Sequence, residues 1–149
     1  MEGRVSEAIG RSCVKDFRVT QEMLSDYRVL SGDSNPLHFD SQVAQKSIFG
    51  RTIVPGLLVY AVASETVANV VSPFWVPVMG RCLFRKEVYL GELLRARAQI
   101  KGEPLNGPNR NTLDVDLEVF NLVASGDGAV AEGDLVMDIR AKCHYIGPK

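Results

Sequence analysis

The sequence predicts an α+β domain in which an antiparallel sheet covers one apolar helix, and three observations carry that prediction. Residues 55–71 form a nearly continuous apolar run of helix length. After Trp75 the hydrophobic period changes to two, the spacing of half-buried strands. Turn-forming stretches at residues 103–111 and 125–128 separate the last three strand-length segments, which favours antiparallel pairing. At 149 residues the chain has the length of one domain, residues 1–149, with enough material for a substantial core.

Taken in order, residues 13–19 read as a short opening strand. Thr20 then caps a helix that runs to about Leu30, with Met23, Leu24, Tyr27 and Leu30 on one face and Gly32 as its stop. Residues 32–40 read as turn, because Pro36 excludes a helix and biases Asn35 to extended geometry. Asp40 or Ser41 can cap a short helix reaching Lys46. Pro55 suits the first turn of the long helix, which is apolar on most sides and needs to be wrapped by other structure. Strands are expected over residues 78–90, 93–101, 112–122 and 134–145. The third shows the cleanest alternation, with Leu113, Val115, Leu117 and Val119 interleaved with Asp114, Asp116 and Glu118. A sheet curled around a single helix is the economical packing of these parts.

Hydrophobic residues at 46%, charged residues at 23% and a net charge of −1 describe an ordinary globular protein and do not steer it toward nucleic acid or an anionic membrane. The longest apolar stretch, Ile53 to Val71, is interrupted by Pro55, Ser64, Glu65 and Asn69, so it reads as a core helix and not as a membrane span. Cys13, Cys82 and Cys143 are an odd number with no CxxC pair, so reduced, buried thiols are expected. The N-terminus lacks an apolar signal core, and Gly147-Pro148-Lys149 is not a peroxisomal tripeptide. An intracellular, cytoplasmic protein is the expectation, with a mitochondrial or peroxisomal matrix left open.

The chemistry concentrates in Tyr27-Arg-Val-Leu-Ser-Gly-Asp33-Ser-Asn35-Pro36-Leu-His38. Asp33 and His38 flank a rigid Asn-Pro turn, which can aim both side chains at one point. A carboxylate beside an imidazole suits the holding of one water, one group accepting its proton and the other orienting or exchanging it. By spacing alone, Asp33 as a local backbone cap and His38 as a surface residue is the reading favoured, because Asp and Asn are commonplace in turns. Gly56, in the first turn of the long helix, leaves a free N–H with no side chain in the way and a helix dipole behind it. Tight helix packing would require the same glycine. Ser64 lies within the helix, where a hydroxyl ordinarily bonds a preceding carbonyl, and it has no nucleophile-elbow context. Asp33, His38 and Asp40 lack a ligand-rich second segment, so no metal is expected. Arg95 and Arg97 against Asp114, Asp116 and Glu118 read as a solvated sheet face, and Arg81, Arg85 and Lys86 as either surface charge or partners for a coenzyme A phosphate.

The run resembles the hydratase-2 signature of the MaoC-like dehydratases, the (R)-specific enoyl-thioester hydratases of the hotdog fold. Tyr27, Leu30, Ser31, Gly32, Asp33, Asn35, Pro36, Leu37, His38 and Ala44 fill every position of that pattern. Phe49 to Leu57 is similar to the segment leading into that family's central helix, Phe84 to Glu92 to its strand and Gly-acid turn, and Gly128 to Gly133 to its penultimate hairpin. Two departures are Pro55, where many relatives carry His, and Glu92 in place of Asp. The resemblance implies a hotdog fold, an antiparallel sheet wrapped around a long central helix and paired as a homodimer through sheet edges. It also implies reversible hydration of a trans-2-enoyl thioester, with Asp33 and His38 catalytic and Gly56 N–H on the thioester carbonyl. By the same resemblance Ser64 is expected as a small polar residue near the site, Asn35 and Pro36 to shape the turn, and Leu57, Leu58 and Tyr60 to line the acyl tunnel. The implied substrate is a coenzyme A or acyl-carrier-protein thioester, and no metal, flavin or nucleotide redox cofactor is expected. Acyl-carrier protein is a possible partner; nucleic acid and membrane are not. A thioesterase on the same fold and a non-catalytic acyl-thioester-binding subunit are the alternatives.

Overall fold

The computed structural model describes residues 9–71, 73–102, 112–126 and 128–146. Strand β1 (Ser12–Phe17) is followed by helices α1 (Gln21–Ser31), α2 (Pro36–Phe39), α3 (Ser41–Gln45) and α4 (Gly56–Val70). Strands β2 (Trp75–Phe84), β3 (Leu94–Gly102), β4 (Thr112–Ala124) and β5 (Val130–Tyr145) complete the order. The five strands form one antiparallel sheet in the order β1-β3-β4-β5-β2. This is the α+β hotdog architecture, with α4 as its central helix. No helix among the described residues is long and apolar enough to cross a membrane.

Period-two alternation sets the sheet's inner face. Leu94, Ala96, Ala98 and Ile100 of β3 and Leu113, Val115, Leu117 and Val119 of β4 are buried, as are Met137, Ile139 and Cys143 of β5. They pack against Leu58, Val59, Ala63 and Val70 of α4. Alanines at two successive inward positions of β3 let the helix approach closely. The outer face is a charge lattice. Arg95 makes a two-pronged pair with Asp16 at 2.7 Å, Lys142 lies 3.7 Å from Asp114, and Arg97 bonds Glu132. Such exposed pairs favour register more than stability.

Several boundaries differ from expectation, each for a local reason. Pro36 begins a turn of helix, because at the first helical position its missing N–H forfeits nothing and Asn35 supplies the cap. Asp40, and not Ser41, caps α3, accepting from the Gln42 and Val43 N–H groups. Helix α1 touches the core only through Leu24 and half-buried Tyr27; Leu30 is 89% exposed, not on that face. Helix α4 is covered on one side only, and Leu57, Ala61 and Glu65 are exposed in the single chain. The strand expected over 78–90 starts earlier, at Trp75, and ends at Phe84. There the Arg85 and Lys86 N–H groups both turn to one acceptor, Val136 O, at 2.9 and 3.3 Å, and the ladder stops. All three cysteines are free, Cys143 buried and Cys13 and Cys82 half-buried. The turn expected at 103–111 lies outside the described residues.

Candidate active site

Helix α1 ends on Gly32 in the left-handed region (φ 70°), its N–H donating to Arg28 O. Ser31 Oγ then donates back to Tyr27 O at 2.6 Å and accepts from Asp33 N–H at 3.1 Å, so the chain leaves the helix at a fixed angle. Asp33 Oδ1 accepts from Asn35 N–H at 2.9 Å, and Asn35 Oδ1 from Leu37 N–H at 3.1 Å. These successive side-chain turns are the local preference of Asp and Asn, and they deliver His38 on the single turn α2.

A second segment, residues 53–54, locks this run in place. Ile53 N–H donates to Leu37 O at 3.1 Å, and His38 Nδ1 donates to Ile53 O at 2.8 Å. A carbonyl can only accept, so Nδ1 carries a proton and Nε2 is the ring nitrogen available for proton exchange. Ile53 also bridges to Tyr89, and Val54 N–H donates to Val88 O at 2.7 Å. The chain leaving β2 is thereby laid beside the entry to α4.

These segments enclose a cavity of about 410 Å³. Asp33 and His38 line it together with Tyr27, Phe49, Gly56, Leu57 and Val59, and Phe84, Glu87, Val136 and Met137 are further wall residues. Asp33 and His38 are both half-buried. Gly56 opens α4 behind Pro55. The Leu58 and Val59 N–H groups both bond Pro55 O, which leaves the Gly56 and Leu57 N–H groups ahead of the ladder without a backbone acceptor among the described residues. The glycine is also demanded by packing: a Cβ here would stand 2.5 Å from Phe84 Cε1. Both readings of this glycine therefore hold at once.

The other expected residues fall differently. Leu57 is 58% exposed and lines the cavity, whereas Leu58 is buried in the core and Tyr60 is packed against it. Asn35 is exposed and stands behind the site as the cap of α2. Ser64 Oγ donates to Ala61 O at 2.7 Å and is not a cavity wall. Arg85 and Lys86 are on the cavity wall but bonded to Asp138 and Asp134, while Arg81 is exposed on β2 across from Arg140. His144 lies half-buried near the end of β5 and is not a cavity wall. Among the described residues no group of three His, Cys, Asp or Glu side chains is placed to hold a metal. Phe84 and Glu87 are the wall residues that sequence reasoning missed. Glu87 carried no local signal, since it sits in the phase of Arg85, where the alternation of a half-buried strand places polar residues.

Comparison with known proteins bears on the fold and the family. A curated relative, the mitochondrial 3-hydroxyacyl-acyl-carrier-protein dehydratase FERN of Solanum lycopersicum, is 34% identical over 73 residues. That match spans 49% of this chain and 44% of the relative. Among solved structures, the R-hydratase PhaJ1 from Pseudomonas aeruginosa superposes with a TM-score of 0.73 at 24% identity, covering 92% of this chain and 81% of its own. The (R)-hydratase of A. caviae involved in PHA biosynthesis gives 0.75 at 20% identity, covering 93% and 96%. At such identities the likeness speaks for the fold. The family model for the MaoC like domain matches residues 5–121, well over half of the sequence, and the chain therefore belongs to the MaoC-like domain family.

Proposed function

We propose that this chain is an (R)-specific enoyl-thioester hydratase, equally a 3-hydroxyacyl-thioester dehydratase in the reverse direction. The observation that supports it is the meeting of Asp33, His38 and the Gly56 end of α4 on one cavity. The Asp33 carboxylate and His38 Nε2 are two acceptors. A water donating one O–H to each presents its lone pair outward, toward the β-carbon of a bound trans-2-enoyl thioester. The oxygen adds to the β-carbon, one water proton passes to the acid–base pair, and a proton returns from that side to the α-carbon. The product is the 3-hydroxyacyl thioester, with H and OH added to one face. Gly56 N–H faces the thioester carbonyl and stabilises the negative charge that develops there, reinforced by the helix dipole.

Leu57 and the apolar walls Val59, Val136 and Met137 receive the acyl chain. Tyr60 and Ser64 support the helix from outside the cavity, and Asn35 holds the turn. The carrier is coenzyme A or acyl-carrier protein, and no metal or redox cofactor takes part. Strand β2 is a sheet edge whose Val76, Val78 and Met79 are exposed, the place for a second copy to pair as a homodimer.

The test follows crotonyl-coenzyme A with a thiol reagent present. Loss of enoyl absorbance without thiol release, yielding the (R)-3-hydroxy product, is expected. Thiol release would make the protein a thioesterase, and binding without either change a non-catalytic subunit.

A further inference from the structure

The charge balance of the cavity is one-sided. Two cations are on its wall, and each is neutralised from β5: Arg85 bonds Asp138 Oδ2 at 3.0 Å and Lys86 bonds Asp134. Its two carboxylates, Asp33 and Glu87, form no ion pair among the described residues. Asp33 accepts a backbone N–H, and Glu87 Oε1 accepts the Tyr89 hydroxyl at 3.3 Å. Arg51 lies over the face of the Tyr89 ring, 3.5 Å from its centroid. The remaining walls are mostly apolar.

Glu87 is also well placed to sense the acyl group. The Val54–Val88 bond and the Ile53–Tyr89 bridge run the two segments antiparallel, which brings Glu87 opposite Pro55, next to Gly56. We infer that Glu87 is a specificity-determining residue that restricts the site to thioesters without an anionic acyl chain. This rests on the acyl-thioester reading above. A terminal carboxylate on the acyl chain would enter a half-buried space whose two carboxylates form no ion pair among the described residues, and whose two cations, Arg85 and Lys86, are already bonded to Asp138 and Asp134. Repulsion between like charges in a partly buried site is on the order of tenfold in affinity.

The experiment measures dissociation constants of butyryl-coenzyme A and glutaryl-coenzyme A by calorimetry for the wild type, Glu87→Gln and Glu87→Lys, with crotonyl-coenzyme A hydration assayed in parallel. The wild type is expected to prefer butyryl-coenzyme A by about tenfold, Glu87→Gln to lose most of that preference and Glu87→Lys to reverse it. A preference that is absent in the wild type, or the same in all three proteins, overturns the inference. Because binding needs no turnover, a charge-dependent preference without crotonyl hydration would overturn the hydratase reading alone. Failure of both thioesters to bind would overturn both.

Discussion

His38 Nδ1 donates to the Ile53 carbonyl at 2.8 Å, while the N–H of the same Ile53 donates to Leu37 O. One residue before the central helix thus fixes both the backbone and the ring of the residue that faces the cavity. The fixed ring exposes Nε2, so the account predicts a role for that nitrogen distinct from folding. His38→Asn can keep a donor to Ile53 O but has no Nε2. It should lose about 10²–10⁴ in kcat with its thermal midpoint nearly unchanged, as should His38→Ala at some further cost in stability. A steady-state assay beside a thermal melt checks both.

Gly56 and Phe84 should behave as a coupled pair. The Phe84 ring is 53% exposed and sits at the end of β2, so it can swing aside when a Cβ is added at position 56. Gly56→Ala should therefore cost only about 1–2 kcal/mol of stability, but it should lower kcat/KM sharply as the displaced ring crowds the cavity. Combined with Phe84→Ala, the stability losses should be less than additive in a double-mutant cycle. Strict additivity would contradict the packing.

The Asp16–Arg95 pair gives a pH signature. Its hydrogen bond to Arg95 holds the Asp16 carboxyl below the usual range for Asp. A carboxylate whose pKa is depressed by folding adds stability above its unfolded value, and that stability is lost as pH falls through the folded value. Both side chains are open to solvent, which screens the pair, so its contribution to stability is small. Asp16→Asn should be less stable by that small margin at pH 7, and the difference should close in strong acid. Urea unfolding at both pH values reads it.

Thr66 is fully buried on α4, and its Oγ1 has no hydrogen-bond partner among the described residues. Thr66→Val removes the unpaired hydroxyl while keeping the branched shape. It should stabilise the fold by about 1–2 kcal/mol, which a chain of this size shows as a midpoint several degrees higher, on the order of 2–4 °C per kcal/mol. A lower midpoint would mean that the hydroxyl has a partner.

Much of this arrangement was legible in the sequence because it is local. The alternation in β4 and the apolar run of α4 report burial directly, and the Gly32-to-His38 turn is built from side-chain bonds two residues apart. What was not legible depends on distant partners. Pro36 reads as a helix breaker until Asn35 is seen capping the turn it begins. Residues 78–90 read as one strand because their alternation continues past Phe84, and only the shared acceptor Val136 O ends it. That early exit brings Glu87 and Phe84 to the entry of α4, some thirty residues away in the chain, and no periodicity could announce it. Leu30 satisfies a helical face on paper, yet α1 meets the core at Leu24 and Tyr27 and turns Leu30 to solvent.

The central claim, that Asp33 and His38 hold the reacting water, is tested most directly at Asp33. Asp33→Asn retains an oxygen to accept the Asn35 N–H, so the turn should survive, but the amide no longer accepts a proton from water. With crotonyl-coenzyme A, or a longer enoyl thioester if the wild type requires one, the account predicts that the wild type bleaches the enoyl absorbance. The folded Asp33→Asn protein should do so at least about a hundredfold more slowly. Near-normal turnover by that variant would contradict it.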